Sequence, residues 1–156
     1  LGLLLLITVI LAGGTFEQEH RVALGFPYWL TVGGIWLDSV VVTSFTLLVC
    51  SLATTSLLPL AAGVAFAIIG KAFGPVVEYI ARGADGQAEL VAAYRPMLAV
   101  AEWFIPDLSR LDWRVWPMYG LPPEPDAIGL AVLMAVLYSA AMLAFSAWLF
   151  SRREFS

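Results

Sequence analysis

The chain has 156 residues, of which 61% are hydrophobic and only 13% charged. Soluble domains carry about 25% charged residues, so a water-soluble fold would leave far too much apolar surface exposed, and the composition points to a bilayer. The formal net charge of −4, with no basic patch, excludes a nucleic-acid-binding class.

Residues 1–12 are apolar apart from Gly2 and Thr8, and Gly13-Gly14 closes the run. A signal peptide would open with a basic n-region, which this run lacks. The chain starts with leucine, so the run reads as a span, about 1–13, whose beginning is cut off, and the whole as the C-terminal part of a longer protein. Residues 15–21 are polar and hold Glu17, Glu19 and His20. The aromatics of Phe26-Pro27-Tyr28-Trp29 suit the headgroup level, and Gly33-Gly34 reads as another break.

A second span is expected over 35–55. Asp38 is its one charge, near its start, and it is rich in serine and threonine. Such hydroxyls bond a carbonyl one turn back or a neighbouring helix. Cys50, the single cysteine, has no intramolecular partner and reads as a small hydrophobe. Pro59 suits the first turn of a new helix, so the chain turns tightly before it and re-enters over 57–73, with Gly74-Pro75 as the stop. Lys71 then lies near an interface, where its stem can snorkel. Asp38 and Lys71 fall toward the same end of two antiparallel spans and form a candidate structural ion pair.

Residues 76–126 are charged and aromatic, and are expected to form an external segment. Residues 87–104 read as one or two interfacial helices, kinked or divided at Pro96. Trp113, Trp116 and Tyr119 form an aromatic belt, and Leu121-Pro122-Pro123-Glu124-Pro125 is a rigid approach, with Asp126 as the N-cap of the last helix. The last span, 127–150, contains neither charge nor proline in 24 residues, and roughly 20 apolar residues cross a ~30 Å core. Arg152 and Arg153 follow as a cytoplasmic anchor. The chain therefore ends in the cytoplasm, and 15–34 and 76–126 lie outside. Ala127, Ala131, Ala135 and Ser139 recur every four residues, a small stripe that lets another helix approach closely. Ala140, Ala144 and Ala147 add a second. The fold class is an all-α membrane protein with about four transmembrane helices plus external interfacial helices.

No catalytic constellation is present. Glu17, Glu19 and His20 match no zinc spacing, and neither a Walker A sequence nor G-x-S-x-G occurs. No catalytic, cofactor-binding or metal-ligating residue is assigned.

The block Phe-Ile-Pro-Asp-Leu-Ser-Arg-Leu-Asp-Trp-Arg at 104–114 resembles the external segment before the last span of export-type ABC-transporter permeases, especially permease components linked to multicopper-enzyme maturation. The ending Trp148-Leu149-Phe150-Ser151-Arg152-Arg153-Glu154-Phe155 is similar to that family's terminus, and the hydroxyl-rich run over 47–59 also resembles it. The resemblance implies a six-span inner-membrane subunit, of which this chain is roughly the last four spans. It also implies a second permease copy as homo- or heterodimer, and separate ATPase subunits that bind Mg-ATP, leaving this chain non-enzymatic and without a cofactor. The expected function is a transmembrane permease of an export system. Two alternatives belong to other classes: a non-transport membrane subunit (a sensor or assembly factor) and an intramembrane enzyme.

Overall fold

The computed structural model describes residues 2–15, 25–55, 57–81, 96 and 105–153, and these are helical without strands. The helices are α1 (Gly2–Thr15), α2 (Phe26–Leu52), α3 (Leu57–Ala81), α4 (Val115–Tyr119) and α5 (Pro125–Arg153), with a 3-10 turn at Leu108–Leu111. Three of them, α2, α3 and α5, are long and apolar enough to cross a membrane. At about 1.5 Å per residue they run ~37–43 Å, past the ~30 Å of a hydrocarbon core. Three of the four expected spans are thus such helices among the described residues. With 14 residues, α1 reaches only ~21 Å.

Three expected breaks are not breaks. α1 runs through Gly13-Gly14, α2 through Gly33-Gly34, and α3 through Gly74-Pro75 to Ala81. Glycine and proline interrupt soluble helices but are tolerated in spans, where neighbouring helices re-satisfy the backbone. α2 consequently begins at Phe26, nine residues before the expected 35. Residues 26–34 and 76–81, expected in external loops, are helical. Finally, α5 starts at Pro125, with the Glu124 carbonyl accepting from the Ile128 N–H at 3.1 Å. Asp126 is therefore not the N-cap; it lies in the first turn, where its charge favours the helix dipole. Proline at the first helical position has no N–H to leave unsatisfied, which explains the earlier start. The residues around His20 and, Pro96 apart, the interfacial helices expected over 87–104 lie outside the described residues.

The turn between α2 and α3 is as tight as its sequence suggests. Ala53 takes an extended conformation, its N–H bonds the Val49 carbonyl at 2.8 Å, and α3 starts at Leu57. α2 and α3 are antiparallel, with α2 also packed along α5. Near the far ends Ser146 Oγ donates to the Leu47 carbonyl at 3.4 Å, while Ala131 shares a buried cluster with Val41, Leu108 and Leu111 nearer the other end. α2 and α5 are therefore parallel. Phe45 and Phe66 stack at 4.1 Å between ring centroids, and Tyr138 lies 6.1 Å beyond Phe66. One aromatic layer thus joins all three helices. The hydroxyls of Ser39, Thr43, Ser44 and Thr46 each bond the carbonyl four residues back. They satisfy themselves within α2 and leave its surface effectively apolar.

Candidate functional site: an ion pair beneath a seated cap

Residues 105–114 are seated between the helices, and glycines in two of the spans make the room. A Cβ on Gly34 would run into the Leu111 carbonyl and the Trp113 ring. One on Gly70 would come within 2.7 Å of Leu108 Cδ1, and one on Gly74 would meet Ser109 Oγ and the Asp107 carboxylate. Leu108, Leu111 and Trp113 are buried as a result. Thr31 Oγ1 donates across the groove to the Trp113 carbonyl at 3.1 Å. Farther out, Trp116 meets Phe26 edge to face at 5.8 Å. α4 then ends on Gly120, whose positive φ of 70° lets its N–H bond the Trp116 carbonyl at 2.8 Å.

The cap holds its own shape through two local motifs. Asp107 Oδ1 accepts from the Ser109 N–H at 3.1 Å, and Arg110 Nε donates to Asp107 Oδ2 at 3.1 Å. Asp112 accepts from Arg114 Nε at 2.7 Å and again from the terminal guanidinium nitrogen. The Arg114 guanidinium holds the Asp112 carboxyl below the usual carboxylate range against the opposing effect of desolvation, with Lys71 adding a smaller pull. Asp112 in turn raises the pKa of Arg114.

One turn beneath Gly34, Asp38 Oδ2 lies 2.7 Å from Lys71 Nζ. α2 and α3 are longer than expected, so neither residue marks the end of its helix. Asp38 is the thirteenth of 27 residues in α2, close to midway. Midway along a span an isolated charge is costly; in a direct pair each offsets the other. Asp38 Oδ1 is buried and finds no hydrogen-bond partner among the described residues. A single pattern covers all three pairs: Asp38, Asp107 and Asp112 side chains are 13%, 18% and 34% exposed, and Lys71, Arg110 and Arg114 are 53%, 63% and 63% exposed. The acids are tucked inward and the cations face out.

The remaining singled-out residues are distributed as follows. Ala131 and Ala135 are buried in the cluster with Val41, and Ser139 is buried with its Oγ unpartnered among the described residues. Ala127 is exposed, as are Ala140, Ala144 and Ala147. Arg152 and Arg153 form the last turn of α5, with the Arg152 guanidinium 4.4 Å from the centre of the Trp148 ring. No cluster of potential metal ligands occurs among the described residues. Sequence reasoning missed the glycine notches. Gly34 and Gly74 read as helix breakers and Gly70 drew no notice, whereas Gly70 and Gly74, four apart, carry the spacing of a close-approach face. In comparisons with known proteins, no family model, no curated protein and no solved structure matches the chain.

Proposed function

We propose that this chain is the membrane-embedded part of a permease subunit of an export-type ABC system. It would form the translocation pathway with a second permease copy, while a separate subunit on the cytoplasmic side binds and hydrolyses Mg-ATP. The observation that carries this reading is the seating of residues 105–114. The block that resembles the permease family's external segment is built into the bundle by glycine notches on two spans, so it forms a fixed end to the bundle. The composition favours the same class, because the chain offers long apolar helices tied by an ion pair between two of them. Its part in transport is non-covalent. The Asp38–Lys71 contact ties α2 to α3, so the two helices would move as one body when the ATPase subunits close.

Affinity purification in a mild detergent tests the reading. An ABC ATPase should co-purify at a fixed ratio, and the complex in proteoliposomes should hydrolyse ATP with vanadate sensitivity. Purification with no ATPase, from cells in which the chain is functional, would overturn it and leave a non-transport membrane subunit in its place.

A further inference from the structure

Two outward-facing cations, Lys71 and Arg114, lie near one level of the bundle, and the helix register places that level in a bilayer. Arg152 belongs to the last turn of α5. Twenty residues lead back from it to Val132, about 30 Å and so the depth of a hydrocarbon core. Ser146 meets Leu47 on the parallel α2. Val132 lies fourteen residues before Ser146, and Gly33 fourteen before Leu47, so the far edge of the core falls at Gly33-Gly34. The Leu111 carbonyl sits against Gly34, which puts the cap at this edge. Asp38 and Lys71 are one turn deeper, about 6 Å, within reach of a snorkelling lysine stem.

Donors and acceptors at this edge are unevenly spent. Asp112 is occupied by Arg114 through its backbone N–H, Nε and one terminal nitrogen. The other terminal nitrogen of Arg114 has no partner among the described residues. Lys71 Nζ pairs with Asp38 Oδ2 and keeps further N–H groups to donate. The side chains of both cations are more than half exposed, and their acids are turned inward. Asp112 feels the charge of Lys71, and it is flanked in sequence by Leu111 and Trp113, which rest on Gly34 one turn above Asp38. Both cations therefore open on one flank. Below Lys71, Ile68, Val64 and Leu60 continue the same face of α3 and are exposed. From Leu60 to Lys71 the helix rises ~16 Å, about the depth of one acyl layer.

From this geometry we infer that the α3 flank binds an anionic phospholipid, its phosphate at Lys71 and Arg114 and one acyl chain along Ile68, Val64 and Leu60. The unspent N–H groups are on the outward side, where a bilayer supplies phosphate oxygens as acceptors. In a choline lipid the quaternary ammonium offsets that phosphate beside two cations and has no N–H to donate. The inference requires only that the helices span a bilayer, and it stands whether or not an ATPase partners the chain.

Native mass spectrometry tests it on purified protein carrying Arg152→Gln and Arg153→Gln, which silence the basic end of α5. Given equal amounts of dioleoyl phosphatidylglycerol and phosphatidylcholine, this protein should retain the glycerol lipid about fivefold over the choline lipid, the ratio that one cation near an anionic headgroup sustains. Arg114→Gln should bring the ratio close to one, and Arg114→Lys should keep it. Asp112→Asn releases Arg114 from its counter-ion and should raise the ratio, whereas a pair that only holds the cap in shape would leave it unchanged or lower it. That variant decides the matter if Arg114→Gln does not fold. Excess inorganic phosphate should leave the lipid bound. Equal retention of the two lipids, a ratio untouched by Arg114→Gln, no rise with Asp112→Asn, or displacement by inorganic phosphate would overturn the proposal.

Discussion

Asp38 and Lys71 are the residues on which the interior electrostatics turn. Either one alone in the bundle would leave an uncompensated charge at membrane depth, and the loss of one partner of a buried pair costs ~3–5 kcal/mol. Lys71 is half exposed, so we expect about 1–2 kcal/mol for each single change. Asp38→Asn and Lys71→Met should each lower the thermal midpoint in detergent. The double variant should lie well above the sum of the two, since it removes both the pair and the stranded charge. Additive effects would mean that the pair contributes nothing. The pair itself was legible from chain order, because two antiparallel spans joined by a tight turn bring residues 38 and 71 to one level. Its depth was not. That depended on where α2 begins, and Phe26-Pro27-Tyr28-Trp29 reads equally well as an interfacial belt or as the first turn of a helix.

At the scale of elements, glycine has two meanings in this chain, and α2 carries both side by side. Gly33 has open space where a Cβ would go, whereas Gly34 faces the Leu111 carbonyl. Gly33→Ala should therefore stabilise α2 by about 0.5–1 kcal/mol, the helix-propensity difference. Gly34→Ala should cost about 1–3 kcal/mol, because a backbone carbonyl cannot swing aside as a side-chain end can. It should also unseat the cap, read as faster proteolysis near Arg110 and Arg114. Similar midpoints for the two variants would dismiss the notch. Helix content was readable from hydropathy, and so were the tight turn and the last span. The breakers were misread because in lipid the penalty for leaving the helical backbone is several kcal/mol, which exceeds the local preference of Gly33-Gly34 or Pro75 for ending a helix.

For the molecule as a whole, the layering runs from the cap, through the ion pair, to the aromatic layer of Phe45, Phe66 and Tyr138, and then to the Ser146–Leu47 contact. Polar groups gather toward the capped end, and the opposite end finishes in Arg152 and Arg153. If that basic end faces the cytoplasm, a cysteine placed at Leu121 should react with a membrane-impermeant maleimide on intact cells. One placed at Ser151 should react only after permeabilisation. Both positions are exposed, and the measurement is made in a Cys50→Ser background. Labelling of both from one side would deny that α5 spans, and the reverse pattern would invert the orientation.

Composition and hydropathy by themselves determined that this chain is helical, that it carries helices long and apolar enough to cross a bilayer, and that α2 and α3 form a tight antiparallel pair. These follow from local quantities: apolar run length, charge spacing and proline position. Only the tertiary structure decided that the 105–114 block is seated between the helices, that Gly34, Gly70 and Gly74 are contact surfaces, and that Asp38 lies midway along its helix. Each of these depends on which backbone approaches which, and a contact between residues 34 and 111 leaves no periodic trace in the sequence of either segment.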